Sequence, residues 1–236
     1  MNRRGAAAQS VLRSGPRCHS TRARWWVALL CLAQLGAQAP CGSADSRGRF
    51  MLARAAFETG RQGSSAAVAE AQQQFRSLLT AEPHNPLFLA YLGSTYTLQA
   101  RESSMPWTKI HLVNEGLELL DHALAALHAG VTPAVTMVPD ARLETRLVAI
   151  ATFVALPDAL FHRLGPARQT LREALADPAL AQADADLRGH LLYEGALIAR
   201  QEHDVAGERA ALEQALALNS PSVDAAELRA RLAQLH

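Results

Sequence analysis

The chain has 236 residues, of which 49% are hydrophobic and 19% are charged, so it can bury a sizeable core and is not a wholly disordered protein. Aromatic residues make up only 5%, whereas Ala and Leu are abundant throughout. This mixture favours helices, because strands prefer β-branched and aromatic residues.

The first 44 residues differ in composition from the rest of the chain. They contain six arginines and no Asp or Glu, and the apolar stretch 25–33 is followed by small residues. This order is typical of a secretory signal peptide, and the stretch is shorter than the roughly 18 apolar residues that a membrane span needs. We predict a signal peptide in residues 1–44 and one folded domain in 45–236.

Two cleavage points fit the small residues at the end of this leader. The Ala-Gln-Ala segment 37–39 is followed by Pro40, which fits poorly, so cleavage between Ala44 and Asp45 is preferred. The leader also fits an uncleaved anchor in the inner membrane, or a mitochondrial transit peptide, a class that is likewise rich in Arg and free of acids. The preferred expectation is a periplasmic or secreted protein.

The positions of the cysteines and the net charge of the domain argue against disulfides, cysteine-ligated metals and nucleic-acid partners. Cys18, Cys31 and Cys41 all lie in the leader, so the mature domain has no thiol for a disulfide or a cysteine-ligated metal. Without the leader the chain has 17 basic and 22 acidic residues, a net charge of −5. Nucleic-acid-binding proteins usually present a basic surface, so we expect no nucleic acid as partner.

Beyond the leader, apolar residues recur in steps of three and four, which predicts amphipathic helices. Strand alternation is not sustained anywhere, so the fold class is all-α. Residues 147–156 are apolar on nearly every side and predict an inner helix. Gly, Pro and Ser clusters divide the chain into about nine helices, whose short links make consecutive helices antiparallel neighbours. The predicted breaks are 60–65, with Ser65 as an N-cap, 83–86, 103–106, 130–139, 157–158, 165–166 and 220–221.

The stretch EPHNPLFLAYLGSTY, residues 82–96, lies at the centre of a repeat-like pattern. Residues at fixed distances before and after Pro83 match the end of one helix hairpin and the start of the next; they are Ala71, Phe75, Leu92, Gly93 and Tyr96. This pattern resembles the tetratricopeptide repeat, a 34-residue hairpin of two helices. Leu78 departs from it, since the family usually has Ala there.

A small–large–small spacing recurs further along the chain. It is found at Gly116, Leu120 and Ala123, at Ala167, Leu171 and Ala174, and with Glu in the small position at Glu208, Leu212 and Ala215. The resemblance covers about residues 50–236, although extra residues at 100–107 and 130–140 break the 34-residue period. It implies an α-solenoid of antiparallel helix hairpins with a C-terminal capping helix, in which Glu227, Arg229 and Arg231 form the polar face.

Candidate catalytic and metal-ligating residues are few. The sequence has no phosphate-binding loop, no dinucleotide fingerprint and no Gly-x-Ser-x-Gly elbow. One helical face groups four side chains of the types that bind metals, which are His111, Glu115, Glu118 and His122. The same helix wheel places them opposite the apolar stripe, so a solvated polar face is the preferred interpretation. We predict no enzyme activity, no cofactor and no metal.

Candidate binding residues fall into three groups. Trp107 with Lys109 stands at an irregular helix start, where a Trp either anchors a partner or packs the helix onto its neighbour. The His162–Arg163 pair suggests an anion site or an ordinary surface pair. The family resemblance implies a concave groove lined by the first helix of each hairpin, here Leu87, Ala90, Ser94 and Thr97, and His190, Tyr193, Leu197 and Arg200.

The Lys and Asn residues with which some tetratricopeptide arrays bind a terminal carboxylate are missing from the matching positions. The mixed groove suits an extended or helical protein segment. The sequence therefore favours an exported, non-catalytic scaffold that binds a protein or peptide. The alternatives are an envelope enzyme or metal-binding protein with a site on the helical array, and a structural membrane anchor.

Overall fold

A computed structural model describes residues 42–132, 138 and 140–235. Every regular element in these ranges is helical, which confirms the all-α prediction. The ten α-helices are α1 Gly42–Arg61, α2 Ser65–Ala81, α3 Pro86–Glu102, α4 Pro106–His128, α5 Ala141–Ala155, α6 Asp158–Phe161, α7 Leu164–Ala176, α8 Ala185–Gln201, α9 Val205–Ala217 and α10 Ala225–Ala233, and a 3₁₀ helix spans Pro178–Gln182.

The predicted signal peptide lies almost entirely outside the described residues. Only its last three positions are described, and they belong to α1, which begins at Gly42. The preferred cleavage point between Ala44 and Asp45 therefore falls in the first turn of this helix. No helix within the described ranges is both long and apolar enough to cross a membrane.

Helix starts follow local capping chemistry. The N-cap of α2 is Ser64, whose hydroxyl accepts from the amide of Ala67, and Ser65 is the first helical residue rather than the predicted cap. Asn85 caps α3 ahead of Pro86, and Pro106 begins α4 as predicted. Pro is tolerated there because the first helical N–H has no partner within the helix.

The break predicted at 165–166 is misplaced. Gly165 and Pro166 lie in the first turn of α7, and the chain turns instead at His162, whose φ is 53°. Proline in a first turn replaces an N–H that lacks a helical partner, so it does not interrupt the helix. The breaks at 177–184 and 202–204, which separate α7, α8 and α9, were not predicted.

The helices pack mainly in consecutive pairs. Contacts are extensive between α1 and α2, α3 and α4, α5 and α7, and α8 and α9, and also between α2 and α3. The first members also pack in succession, α1 on α3, α3 on α5, and α5 on α8, while α10 packs on α9. Helix α5 contacts α3, α4, α7 and α8, which fits its prediction as an inner helix.

Aromatic side chains fill the core shared by α1, α2 and α3. The rings of Phe75 and Tyr91 stack, with centroids 5.0 Å apart and planes 5° apart. Phe50 and Phe57 meet Tyr91 edge-on, at 5.7 Å and 5.0 Å. Offset and edge-on pairs of this kind add about 0.5–1.5 kcal/mol each beyond the area they bury.

Helices α3 and α4 approach each other closely at two glycines. A Cβ atom built on Gly93 would lie 2.6 Å from the carbonyl oxygen of Gly116, and one on Gly116 would lie 2.5 Å from that of Gly93. No side chain fits at such distances from backbone oxygen. Each helix therefore uses glycine where it crosses the other.

Glu208, the exception in the small–large–small spacing, is buried and paired. Arg231 of α10 donates from Nε to Oε1 at 2.6 Å and from Nη2 to Oε2 at 2.9 Å. This bidentate ion pair fastens the last helix to α9. Arg231 consequently does not belong to a free polar face, whereas Glu227 and Arg229 are exposed.

Candidate functional site

A large groove of about 1010 Å³ lies along α1, α3, α5 and α8. We call it the inner groove. Each of the four helices contributes both apolar and charged side chains to its walls, so it is neither a closed apolar cavity nor a flat polar surface. Its volume is at the upper limit of pockets for small molecules, and it crosses four helices.

A buried polar network forms part of the groove wall and links three of its helices. The hydroxyl of Tyr91 in α3 donates to Oε1 of Glu144 in α5 at 2.5 Å, and Nε of Arg54 in α1 lies 3.3 Å from the same oxygen. Burial raises the pKa of Glu144, and burial together with this carboxylate holds the pKa of Tyr91 well above its usual value. The network fixes where the three helices meet.

A second chain of hydrogen bonds holds the loop before α10 against the start of α8. Ser220 donates to Oδ1 of Asp186 at 2.6 Å, Ser222 lies 3.1 Å from Ser220, and Nε2 of His190 lies 3.0 Å from the Ser222 hydroxyl. Burial, followed by Arg61, lowers the pKa of His190, so its imidazole is neutral at pH 7.

Chemically, Ser222 and His190 are at the distance of a nucleophile and its base. The carboxylate of Asp186, however, accepts its hydrogen bond from Ser220 and does not orient the imidazole through Nδ1. The arrangement is therefore foremost a structural clamp between the loop and α8, with only part of the geometry of a hydrolytic site.

Glu194 lies one turn beyond His190 on the same face of α8. Its side chain is buried, with 8% of the residue exposed, and it lines the inner groove. Its Oε2 atom is buried without any hydrogen-bond partner among the described residues. Burial raises the pKa of this carboxyl to about 7, although Arg61 opposes the shift.

The structure divides the predicted groove residues between two places. Ser94, Thr97 and His190 line the inner groove, and the Ser94 hydroxyl lies 3.0 Å from that of Thr152. Tyr193 and Arg200 instead line a small pocket of about 210 Å³ between α8, α9 and α10.

The remaining groove candidates follow the same division. Leu197 lines the small pocket with Tyr193 and Arg200, and Tyr193 donates to Glu227 of α10. Leu87 and Ala90 are buried in the core rather than exposed to the inner groove. The face of α8 that lines the inner groove is that of Leu187, His190 and Glu194.

Trp107 and Lys109 are both exposed at the start of α4 and do not line the inner groove. Trp107 is 69% exposed, which does not fit the packing role that the sequence left open for it. Arg163 is engaged internally, since its Nη1 donates to both carboxylate oxygens of Asp121 and its guanidinium lies over the ring of Phe153. Because Arg163 already has these partners, an anion site at His162–Arg163 is not supported.

The His and Glu face of α4 remains a polar surface. His111 lies 3.4 Å from Glu115; the His111 side chain is largely exposed and that of Glu115 is partly exposed. Within the described residues no group of three or more His, Cys, Asp or Glu side chains is arranged to hold a metal ion.

Sequence reasoning missed Arg54, Glu144 and Glu194, which carry much of the electrostatics of the inner groove. A signal for one of them was present. Glu194 stands in the apolar stretch 191–197 of α8. A carboxylate in such a position needs a partner or a function, because burying an unpaired charge is costly.

The chain matches no known protein-family model, no curated protein and no solved structure. The inner groove must therefore be interpreted from its own residues.

Proposed function

We propose that this protein is an exported, non-catalytic scaffold of the tetratricopeptide-like α-solenoid type, which binds an extended segment of a protein or peptide in the inner groove. The observation that carries the proposal is the groove of about 1010 Å³ along α1, α3, α5 and α8. Grooves of this kind, lined by successive helices and mixed in polarity, suit peptide segments.

Helix pairing and residue burial support the repeat architecture. The first helices of the four pairs contact one another in succession, as they do in stacked hairpins. The small and large positions of the second helices are buried in all four pairs, including Glu208. The close approach at Gly93 and Gly116 places small residues where two paired helices cross, which supports the same architecture.

Export to the periplasm or beyond is proposed from the leader composition, and retention by an uncleaved anchor is the alternative. The six arginines, the apolar stretch and the small residues before Asp45 stand in the order of a signal peptide. N-terminal sequencing of the protein from cells should begin at or near Asp45. A retained Met1 on a membrane-bound protein would support the anchor, and on a soluble protein it would contradict export.

The test of binding is an affinity capture from the envelope of the cells that make the protein. Ala151→Trp places a bulky side chain in the inner groove, whereas Ala210→Trp adds the same group on an exposed position of α9. We expect a stoichiometric partner on the wild type and on Ala210→Trp, and its loss from Ala151→Trp. A partner retained equally by all three proteins would contradict the groove as the binding surface.

A second candidate function is hydrolysis, favoured by the 3.0 Å contact between Ser222 and His190 at the edge of the groove. It is the weaker candidate because no carboxylate among the described residues accepts a hydrogen bond from the imidazole. A fluorophosphonate reagent should label wild-type protein but not Ser222→Ala if this serine is an activated nucleophile. Absence of labelling at neutral pH would remove this candidate.

A further inference from the structure

Glu194 is a buried carboxyl group at the wall of the inner groove, and its Oε2 atom has no partner among the described residues. Neither an ion pair nor a hydrogen bond reaches this side chain within the described residues, and its Oε2 atom is fully enclosed. A buried polar atom of this kind costs free energy unless a partner satisfies it. The described residues supply no such partner, so a ligand in the groove is expected to provide it.

The charge of the surrounding groove indicates the charge that the partner of Glu194 should carry. Six carboxyl groups and four arginines line the groove, so it carries an excess of negative charge when all six are ionised and His190 is neutral. Two arginines are already paired with groove carboxylates, Arg54 with Glu144 and Arg61 with Glu58 at 3.1 Å. Arg61 acts on Glu194 electrostatically, but no arginine among the described residues lies within ion-pair distance of this carboxyl group.

A like-charge pair lies in the same acidic wall. Asp140 precedes α5 and Asp184 caps α8, and both line the inner groove. Burial and the charge of Asp184 raise the pKa of Asp140, and Asp184 also raises the pKa of Glu144. A cation in the groove would relieve this repulsion, whereas an anion would increase it.

We infer that Glu194 is the recognition site for a basic side chain, Lys or Arg, of the peptide segment bound in the inner groove. This rests on the proposed function, whose failure the experiment below can distinguish. The ammonium or guanidinium group donates to Glu194 from the groove, at the carboxylate oxygen other than the enclosed Oε2, and its charge compensates the acidic wall. A charge-assisted hydrogen bond at a buried carboxylate is stronger than a neutral one.

The test begins with a random peptide library displayed on phage and selected on the full-length wild-type protein at about pH 8, where Glu194 is ionised. A parallel selection uses Ala151→Trp, whose groove is filled. Peptides enriched on the wild type but not on Ala151→Trp bind the groove. We expect these peptides to share Lys or Arg at one fixed position.

Two outcomes separate the inference from the function on which it rests. If no peptide depends on an open groove, the proposed function fails and the inference with it. If groove-dependent peptides are found but lack a fixed basic residue, the groove binds peptides and the inference about Glu194 is wrong.

The enriched peptide is then titrated against variants of the full-length protein. Glu194→Gln should weaken it about 10- to 100-fold, the range for loss of a hydrogen bond to a charged group. Glu213→Gln, on the exposed face of α9, serves as the matched control and should leave the affinity unchanged. Equal affinity for wild type and Glu194→Gln would overturn the inference.

A change in the peptide tests the same contact without altering the protein. Replacing its conserved Lys or Arg by Gln should weaken binding to the wild type by a similar factor. The same replacement should have little further effect on Glu194→Gln, because the two groups form one interaction. Additive losses in this cycle would show that the basic residue binds elsewhere in the groove.

Discussion

Aromatic rings fill the core shared by α1, α2 and α3, whereas small aliphatic side chains and an ion pair join α8, α9 and α10. The first region buries Phe50, Phe57, Phe75 and Tyr91 in direct ring contact. The second depends on Leu212, Leu228 and two alanines, with the Arg231–Glu208 pair beside them.

The difference separates two means of holding the groove walls. Large rings in mutual contact bury much area and resist displacement, since interiors are closely packed. A small aliphatic cluster with an ion pair buries less area, so the attachment of α10 depends on the Arg231–Glu208 ion pair. The α1 wall of the inner groove should therefore be the more stable wall. The α8 wall should respond more strongly to changes in pH and charge.

The largest expected effect is in the aromatic region. Phe75→Ala removes a fully buried ring that stacks on Tyr91 and should cost about 3–5 kcal/mol of unfolding free energy. Leu212→Ala in the α9 core should cost less, near the low end of the roughly 2–5 kcal/mol range for such changes. Urea melts of both variants measure the difference. Equal losses would break the comparison between the two regions.

The next largest effect is a dependence of the unfolding free energy on pH, which originates at Glu194 in α8. The pKa of Glu194 is raised by burial from 4.5 to about 7, so the folded state binds this proton more tightly than the unfolded state. Its contribution to stability is complete below about pH 4.5 and is lost as the pH rises through about 7. The loss amounts to about 3 kcal/mol.

Urea melts of Glu194→Gln across this window isolate that contribution. Gln does not titrate, so the fall in stability between about pH 4.5 and 7 should shrink relative to the wild type by about 3 kcal/mol. Glu213→Gln on α9 is the control and should keep the wild-type dependence. Identical profiles for wild type and Glu194→Gln would show that Glu194 is not buried as described.

A smaller effect compares one substitution in the two regions. Gly93→Ala places a methyl group against the backbone oxygen of Gly116 and should cost about 1–3 kcal/mol, and Gly93→Leu at least as much. Gly195→Ala on α8 meets only the flexible end of Leu171 at 3.2 Å. There the helix preference for Ala over Gly should dominate, with a gain of up to about 1 kcal/mol.

Thermal or urea unfolding of the two glycine variants gives the signs directly. Opposite signs would support a backbone contact confined to the α3–α4 crossing. If Gly93→Ala were neutral or stabilising, the close approach of α3 and α4 would be wrong, and with it the repeat register assigned to Gly93.

The smallest effect is expected at the C-terminal end. Glu208→Ala removes the carboxylate that binds Arg231, so the amide hydrogens of α10 should exchange faster while those of α1–α3 stay protected. Glu213→Ala on the same helix provides the control. Faster exchange throughout the chain would mean that the two regions are not held independently.

The sequence predicted the helices well and the site only in part. Spacing of apolar residues located most helices, because a buried stripe must repeat at the helical period. Gly93 was named as part of the repeat-like pattern, and the structure brings it into contact with Gly116. The turn at His162 was missed because a left-handed non-glycine residue has no strong sequence signal.

The prediction of the groove residues failed where it depended on the rotation of a helix about its axis or on contacts between residues that lie far apart in sequence. Tyr193 and Arg200 were placed in the groove with His190, but α8 faces it with Glu194 instead. A rotation of about 100° per residue separates neighbouring positions, so a shift of one residue moves a side chain to another surface. Contacts such as Tyr91 with Glu144, which lie far apart in sequence, follow only from tertiary packing.

The most direct test of the account is photo-crosslinking at two neighbouring positions of α1. Met51 lines the inner groove and is 49% exposed, whereas Leu52 is 65% exposed and does not line it. A benzophenone side chain at residue 51, in protein produced in its own cells, should cross-link to one partner segment that carries Lys or Arg. The same group at residue 52 should not. Equal cross-linking at both positions, or none at residue 51, would contradict the inner groove as the binding surface.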